Sequence, residues 1–514
     1  MAKKNKTNTF LNYANGVSLE EINGTIMVPQ NLGFFKTLLF YSGPGALVAV
    51  GYMDPGNWST SITGGQNFQY TLLSVILLSS LVAMLLQYLC AKLGIVTQLD
   101  LAQAIRMKTS KTLSILLWII TELAIMATDI AEVIGGAIAL YLLFNIPLEI
   151  AVLITVLDVL LLLLLTKIGF RKIEALVFAL IIIIFLVFSY QVILSHPDWK
   201  EVFFGLIPTS KAFASTPSVN HQVPLTGALG IIGATVMPHN LYLHSSLVQS
   251  RHLKRDNSEQ VAKALRFSAL DSNIQLTLAF FVNALLLIVG VSVFKSGSIQ
   301  DPSFIGLYHA LSNPHMMSNS LLAHIASSGA LASLFAIALL ASGQNSTITG
   351  TLTGQIVMEG FIHMKLPAWI RRLLTRLLSV LPVLLCVFLA SAKGPSEENI
   401  AINDLMINSQ VFLAFALPFS IVPLLIFTDS PSLMGQRFKN RWYTRLLGWL
   451  SVLILILLNL KGLPDQIEGF FGDNPSSQQI SLAHTISYLL MALIISLLAW
   501  MIFELSPNKR RSEN

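Results

Sequence analysis

The chain has 514 residues, of which 54% are hydrophobic and 11% are charged, with a net charge of +6. Soluble domains carry about 25% charged residues, so this composition excludes a water-soluble globule of such size. The basic residues lie in short clusters between apolar runs rather than in one stripe, so we expect no nucleic-acid partner.

Apolar runs of about 20 residues, the length that crosses a bilayer as a helix, recur along the chain and predict an all-α polytopic membrane protein. Twelve spans are predicted at approximately 41–63, 70–91, 113–143, 147–166, 174–195, 224–249, 267–294, 324–353, 373–392, 405–428, 446–462 and 480–503. With these spans, all but five of the 32 basic residues fall on the side of the two termini. The positive-inside rule therefore predicts cytoplasmic termini.

Spans one and six each contain a break with proline, at Asp54–Asn57 and at Met237–Asn240, and the two breaks are offset by 183 residues. Each broken span opens a unit of five spans, and an odd number of spans inverts the second unit. This pattern predicts a LeuT-like inverted repeat of 5+5 helices with broken helices 1 and 6. The predicted organisation is a tail at 1–37, repeats at 38–200 and 201–430, and two further helices with a short tail at 431–514.

The breaks carry ligands for a cation. The first half-helices end by their C-termini, so carbonyl groups near Gly51 and Ala234 and the negative ends of the helix dipoles converge. Asp54 adds a charge, Asn57 a carbonyl oxygen and Met237 a thioether sulfur. Oxygen with sulfur favours transition-metal dications over Ca²⁺ and Mg²⁺. The metal is expected as cargo, and no cofactor is expected.

Span three carries three carboxylates, Glu122, Asp129 and Glu132, on one helix face. Such a stripe predicts a proton relay or a water-filled path; the alternative is a row of paired structural carboxylates. His239 and His244 would extend a relay, although for His244 a hydrogen-bonded packing role is equally well supported. Metal binding needs the deprotonated form of Asp54, so metal and proton compete there.

The two breaks resemble the paired signature of the Nramp family. The resemblance covers about residues 38–460, and its motifs are Asp54-Pro55-Gly56-Asn57, Met237-Pro238-His239-Asn240, Thr121-Glu122-Leu123-Ala124, Asp129 to Gly135, and Ala341 to Gln355. It implies proton-coupled uptake of Mn²⁺, with Fe²⁺, Co²⁺ and Cd²⁺ as further substrates, and the segment 480–503 looks like the last helix of twelve-span members.

The resemblance also implies roles for individual residues. The metal ligands would be Asp54, Asn57, Met237, the carbonyl groups of Gly51 and Ala234, and Gln410. The proton route would run through His239, Glu132 and Asp129, with Arg371 and Arg372 as salt-bridge partners at its inner end. We expect a monomer in the cell membrane.

Three alternatives remain open at this point. A Mg²⁺ or other divalent-cation transporter of the same fold would share the oxygen ligands. A LeuT-fold symporter of an organic substrate would need a free half-helix N-terminus for a carboxylate, which Asp54 would repel. The third alternative is a membrane-embedded enzyme or receptor. The sequence contains no nucleophile–base pair, phosphate loop or zinc spacing, so we expect no enzymatic activity.

Overall fold

The fold is that of a computed structural model, which describes residues 12–13, 18–19, 22–29, 32–158, 170–219, 222–253, 257–294, 301, 303–313, 327–392, 394–471 and 475–506. The α-helices are α1 (Phe34–Tyr41), α2 (Pro44–Gly51), α3 (Pro55–Phe68), α4 (Leu73–Thr97), α5 (Leu101–Arg106), α6 (Lys111–Phe144), α7 (Leu148–Ile154), α8 (Phe170–Ser195), α9 (Trp199–Gly205), α10 (Pro224–Thr235), α11 (Pro238–Leu247), α12 (Ser258–Phe294), α13 (Phe304–Ser312), α14 (Ala330–Ile362), α15 (Ala368–Ser391), α16 (Pro395–Ala416), α17 (Pro418–Asp429), α18 (Pro431–Phe438), α19 (Trp442–Gly469) and α20 (Ser477–Leu505). Four two-residue strands accompany them: β1 (Asn12–Tyr13), β2 (Ile26–Met27), β3 (Arg251–His252) and β4 (Met364–Lys365).

Most of the predicted spans are helices of membrane-spanning length. Within the described residues, nine helical stretches are long and apolar enough to cross a membrane, or ten if α1 and α2, which meet at 54°, count as one span. These nine include predicted spans two, three, five and seven to twelve. Spans one and six are broken. The first part of predicted span four is the helical segment Leu148–Leu157, and its residues 159–166 lie outside the described residues. The total of twelve crossings stays a prediction.

Several helices extend well beyond their apolar centres. Span seven was predicted to begin at 267, but α12 begins at Ser258; span eight was predicted to end at 353, but α14 continues to Ile362. Hydropathy marks the part of a helix that contacts lipid, whereas backbone hydrogen bonding continues through the polar turns at each end. The helices are therefore longer than the membrane spans predicted within them.

The broken helices lie at the centre of the molecule. Every residue of α2 and of α11 is buried, which is unusual for helices of eight and ten residues and shows that neighbouring helices surround them. Around them, α6 packs against α14, α15 and α16, while α12 packs against α2, α3, α4 and α8. The last helix, α20, lies at the periphery: only 17% of its most apolar 18-residue stretch is buried.

Part of the predicted N-terminal tail is ordered against the helical body. Strand β1 pairs antiparallel with β4, and β2 pairs in parallel with β3. Between them, Leu19 is buried and its backbone N–H donates to Glu359 Oε2 at 2.9 Å. The tail segment therefore contacts the ends of α11 and α14 rather than extending freely into solvent.

Candidate metal site

The unwound segment at each break is shorter than the four-residue motif that marks it in the sequence. The unwound residues are Tyr52 to Asp54 and Val236 to Met237, and each following half-helix begins with proline, at Pro55 and Pro238. Proline suits the first position of a helix, because its missing N–H has no partner there anyway and its fixed φ is helical. The breaks lie at the N-terminal ends of the two motifs, since Gly56, Asn57, His239 and Asn240 are helical.

The carbonyl groups of Tyr52 and Met53 in the first break accept hydrogen bonds from side chains. Asn283 Nδ2 donates to the Tyr52 carbonyl at 2.8 Å, and Trp58 Nε1 and Ser342 Oγ donate to the Met53 carbonyl at 2.9 and 2.6 Å. Backbone can leave the helix inside a bilayer only where protein satisfies its polar groups. These three side chains come from α12, α3 and α14, so the unwound backbone is stabilised by the surrounding helices.

A cluster of three oxygen atoms forms the centre of the site. Asn57 Nδ2 donates to Asp54 Oδ1 at 2.8 Å, to the Gly51 carbonyl at 3.0 Å and to the Ala234 carbonyl at 2.9 Å. One nitrogen thus lies within hydrogen-bond distance of a carboxylate and of the two carbonyl groups that end α2 and α10. The side chain of Asp54 also caps α3 by accepting from Asn57 N at 2.7 Å. Without a metal, the amide nitrogen of Asn57 faces this centre, and coordination by the Asn57 oxygen stays a prediction.

The offset of the two breaks in sequence corresponds to a symmetry of contacts. Gly51 and Ala234 are equivalent positions of the two repeats, and their carbonyl groups meet at the same amide. In the second repeat, Asn240 Nδ2 donates to Met237 Sδ at 3.7 Å, which mirrors the contact between Asn57 and Asp54. The Met237 side chain is fully buried and packs with apolar side chains of α6 and α16. Its sulfur therefore contacts Asn240, beside the oxygen cluster.

Gln410 of α16 is held between the two broken helices. A Cβ atom at Gly56 would overlap the Gln410 side-chain amide, and a Cβ atom at Gly233 would overlap its backbone carbonyl. Glycine at both positions thus permits the close approach of α3 and α10 to α16. The Gln410 Nε2 donates to Ser409 at 3.0 Å. Gln410 is fully buried and lies against Gly56 in the first turn of α3. Gly56 follows Asp54 by two residues.

The site retains oxygen atoms that are free to coordinate. Asp54 Oδ2, Asn240 Oδ1 and Gln410 Oε1 are buried and have no hydrogen-bond partner among the described residues. Buried oxygens without partners are costly, and a cation would satisfy them. Within the same residues no group of three or more His, Cys, Asp or Glu is arranged to hold a metal ion. The arrangement therefore suits a cation held by one carboxylate together with amide and backbone oxygens.

A second polar cluster joins α6 to α15. Arg372 pairs with Asp129 and with Glu132, whose Oε2 lies 2.7 Å from Arg372 Nη2. Arg376 pairs with Asp158 and, at 3.3 Å, with Glu132. Each of these five side chains is at most 2% exposed, so the charges are removed from water. Because isolated charges are expensive to bury, they are found paired in this way.

The remaining candidates of the relay lie on either side of this cluster. Arg371 pairs with Glu122, with 2.7 Å between Nη2 and Oε2, at a less buried position of α6. His239 is buried and close enough to Asp129 for their charges to interact. His244 Nδ1 lies 3.0 Å from Gln87 Oε1, which favours the packing role for this histidine.

Sequence reasoning missed several members of these clusters. Arg371 and Arg372 are expected salt-bridge partners, whereas Arg376, which is also buried within α15, is not among the predicted residues. Arg376 follows Arg372 by one helical turn, and this spacing was the available signal. Asp158 also had a signal: it is an isolated carboxylate in an apolar run, and an ionisable residue in a membrane span indicates function. Asn283 had no comparable signal.

Comparison with known proteins places this geometry in context. The family profile described as "Natural resistance-associated macrophage protein-like" matches residues 45–464. A divalent metal cation transporter of Latilactobacillus sakei is 54% identical over 455 residues, covering 88% of this chain and 95% of its relative. Another from Pediococcus pentosaceus is 56% identical over 443 residues, covering 86% and 95%.

A solved structure is similar over almost the whole chain. The crystal structure of the Eremococcus coleocola manganese transporter, in complex with an aromatic bis-isothiourea substituted compound, superposes with a TM-score of 0.90. The two sequences are 64% identical, and the match covers 95% of this chain and 99% of the other. At this identity and TM-score the two chains share one fold.

Proposed function

The chain belongs to the Nramp family and has its LeuT-like fold, and on this premise we propose that it is a proton-coupled importer of Mn²⁺. The coarser function, transport of a divalent metal cation across a membrane, is supported by relatives that carry this description at 54% and 56% identity. Fe²⁺, Co²⁺ and Cd²⁺ are proposed as further substrates because they accept both oxygen and sulfur ligands.

One observation carries the proposal: three oxygen atoms from two different broken helices converge on the Asn57 amide nitrogen. The N–H groups are the positive end of the amide dipole. They occupy, without a metal, the position where the three oxygens would face a cation. A half-turn of the amide replaces the nitrogen by the carbonyl oxygen of Asn57. The cluster then offers four oxygens to a metal ion, with the negative ends of α2 and α10 directed at it.

The remaining proposed ligands border this cluster. Gln410 Oε1 is buried beside Gly56, and Met237 Sδ lies next to Asn240 at the second break. We propose that the sulfur joins the oxygens when the metal is bound. The thioether would stabilise Mn²⁺ and softer ions more than Ca²⁺ or Mg²⁺, because hard cations gain little from sulfur.

Coupling to protons follows from the chemistry of Asp54. A metal ion binds the deprotonated carboxylate, so a proton on Asp54 must leave when the metal enters. We propose that it passes by His239 to Asp129 and Glu132, which lie in the cluster with Arg372. Arg371 and Glu122 would continue the route towards the inner face. Metal and proton then move inward in the same cycle.

The proposed location is the cell membrane, with both termini inside and with the monomer as the transporting unit. The substrate path lies within one chain, because both broken helices and all the proposed ligands belong to it. Because only 17% of the most apolar stretch of α20 is buried, most of that helix is available to lipid.

Uptake into proteoliposomes tests this function. Purified protein is reconstituted with a pH dye inside, and radioactive Mn²⁺ is added outside at an acidic and a neutral pH. We expect Mn²⁺ accumulation with internal acidification, faster at the acidic pH. Asp54→Ala should abolish both signals, whereas Asp429→Ala, which removes a carboxylate paired with Arg445, should retain them. Mn²⁺ uptake without proton movement would refute the coupling, and uptake by Asp54→Ala would refute the site.

A Mg²⁺ transporter of the same fold is the second candidate, because the three atoms that face the Asn57 amide are all oxygens. Met237 separates the two functions. If its sulfur is a ligand, Met237→Ala should relax the rejection of Ca²⁺ and Mg²⁺; a variant that keeps full discrimination would remove the sulfur from the selectivity argument.

A further inference from the structure

The buried cluster between α6 and α15 has one acid more than it has bases. Three carboxylates, of Asp129, Glu132 and Asp158, face the guanidinium groups of Arg372 and Arg376, which leaves a formal charge of −1. All five side chains are at most 2% exposed. Because an uncompensated charge is expensive in such a place, the electrically neutral form of the cluster holds one proton.

The contacts show which carboxylate is the additional one. Arg372 is paired with Asp129, and Arg376 is paired with Asp158. Glu132 Oε2 lies between the two guanidinium groups, 2.7 Å from Arg372 Nη2 and 3.3 Å from Arg376 Nη2. Two complete ion pairs therefore enclose Glu132, which needs neither arginine to itself.

Asp158 competes with Glu132 for the same donors. Asp158 Oδ2 contacts Arg376 Nη2, Arg372 Nη2 at 3.3 Å and the Thr347 hydroxyl at 3.2 Å. Glu132 Oε2 contacts the same two nitrogens and the same hydroxyl, the latter at 3.4 Å. When Glu132 is protonated, Asp158 still neutralises Arg376.

The other charged and titratable groups lie outside this shared set of donors. His239 of α11 interacts with the charge of Asp129, and Arg371 is paired with Glu122. Helix α14 contributes the neutral hydroxyl of Thr347. The formal charge of the cluster therefore depends on its own five side chains.

We propose that Asp158 is a positioning residue of proton transport: it holds Arg376 in a permanent ion pair, so that Glu132 alone gains and loses the transported proton. The inference rests on the proposed proton coupling. Protonation forms one O–H bond on a Glu132 carboxylate oxygen and brings the cluster to zero charge. Release breaks this bond and passes the proton on towards the inner face, while both arginines keep a carboxylate partner.

This arrangement predicts the effect of altering the charge count. In Asp158→Asn, Glu132 is the remaining carboxylate for Arg376, the cluster is neutral with Glu132 ionised, and proton carriage should be lost. In the double variant Asp158→Asn with Arg376→Gln, the pair of Arg372 and Asp129 remains and Glu132 is again the additional acid. Proton carriage should then return, although the double variant alters more of the protein.

The test measures Mn²⁺ uptake and internal acidification in the same proteoliposomes over a series of outside pH values. Asp158→Asn should still bind Mn²⁺, as heat released on titration, but should lose the pH dependence of uptake and the internal acidification. Asp158→Glu, which keeps the charge, and the double variant should recover both. Retained acidification in Asp158→Asn would overturn the proposal, and so would a double variant no better than the single one.

Two further outcomes are also decisive. If the single variant does not fold, the charge-matched double variant decides alone: near wild-type acidification supports the proposal, and its absence overturns it. If the wild-type protein moves Mn²⁺ without protons, the proposed coupling fails and the role of Asp158 fails with it. That result differs from failure of the Asp158 proposal alone, in which wild type and Asp158→Asn acidify equally.

Discussion

The amide of Asn57 holds three oxygens together, and replacing it by a carboxylate should make the folded protein depend on metal. Asn57→Asp removes donors to Asp54, Gly51 and Ala234. The amide has two N–H groups for these three oxygens, so the loss amounts to about two hydrogen bonds, about 1 kcal/mol for one to a carbonyl group and about 2 kcal/mol for one to a carboxylate. The metal-free variant should therefore be destabilised by about 3 kcal/mol, before the repulsion between Asp54 and the new carboxylate is counted.

Mn²⁺ should reverse this effect. A ligand at a hundred times its Kd stabilises a protein by about 2.7 kcal/mol, and a tighter ligand does so at lower concentration. Asn57→Asp adds a negative charge to the oxygen cluster, so Mn²⁺ should raise its melting temperature more than it raises that of the wild type. Asn57→Ala is the matched control, because it loses the same amide donors and gains no ligand.

The assay is thermal unfolding in detergent, with a chelator or with increasing Mn²⁺. In chelator, both variants should melt below the wild type; in Mn²⁺, Asn57→Asp should recover and Asn57→Ala should not. If Asn57→Asp melts like the wild type in chelator, the amide does not hold the oxygens. If Mn²⁺ rescues both variants equally, the oxygen cluster is not where the metal binds.

Three further predictions concern the surroundings of the site. Gly56→Ala should weaken Mn²⁺ binding, since its Cβ would displace the Gln410 amide, whereas Gly343→Ala, with no neighbour nearer than 3.9 Å, should bind normally in the same calorimetric titration. Met237→Ala should let Ca²⁺ and Mg²⁺ compete with radioactive Mn²⁺ uptake; competition unchanged from the wild type would contradict a sulfur ligand. Burial raises the pKa of Asp100, between α4 and α5, to about 6. The protonated form therefore favours folding, and this contribution to stability is lost as pH rises from about 4 to about 6. Asp100→Asn should consequently melt at the same temperature as the wild type in acid and at a higher temperature at pH 8. A difference in melting temperature that does not change with pH would contradict this account.

The features that the sequence predicts well are those encoded by local patterns. Long apolar runs with few charges predict membrane helices, and Pro55 and Pro238 mark the starts of the second half-helices. The equivalence of Gly51 and Ala234 follows from their offset alone, and the structure brings their carbonyl groups to one amide. Local chemistry was sufficient here because helix ends are determined by residues within one turn.

The features that the sequence does not predict depend on distant partners. Arg371 and Arg372 are expected as salt-bridge partners, but no local pattern predicts that Glu132 of α6 and Asp158 compensate Arg376 inside α15. Which atom of the Asn57 amide faces the oxygens depends on Ala234, 177 residues away. Asn283 likewise supports the first break from a helix whose sequence gives no sign of it.

The central claim, that a metal ion binds where the two broken helices meet, is tested most directly by calorimetric titration of Mn²⁺ into wild type and into a variant with both Asp54→Ala and Met237→Ala. The account predicts saturable binding to the wild type and none to the variant, while both unfold cooperatively in chelator. Undiminished Mn²⁺ affinity in a folded double variant would contradict it.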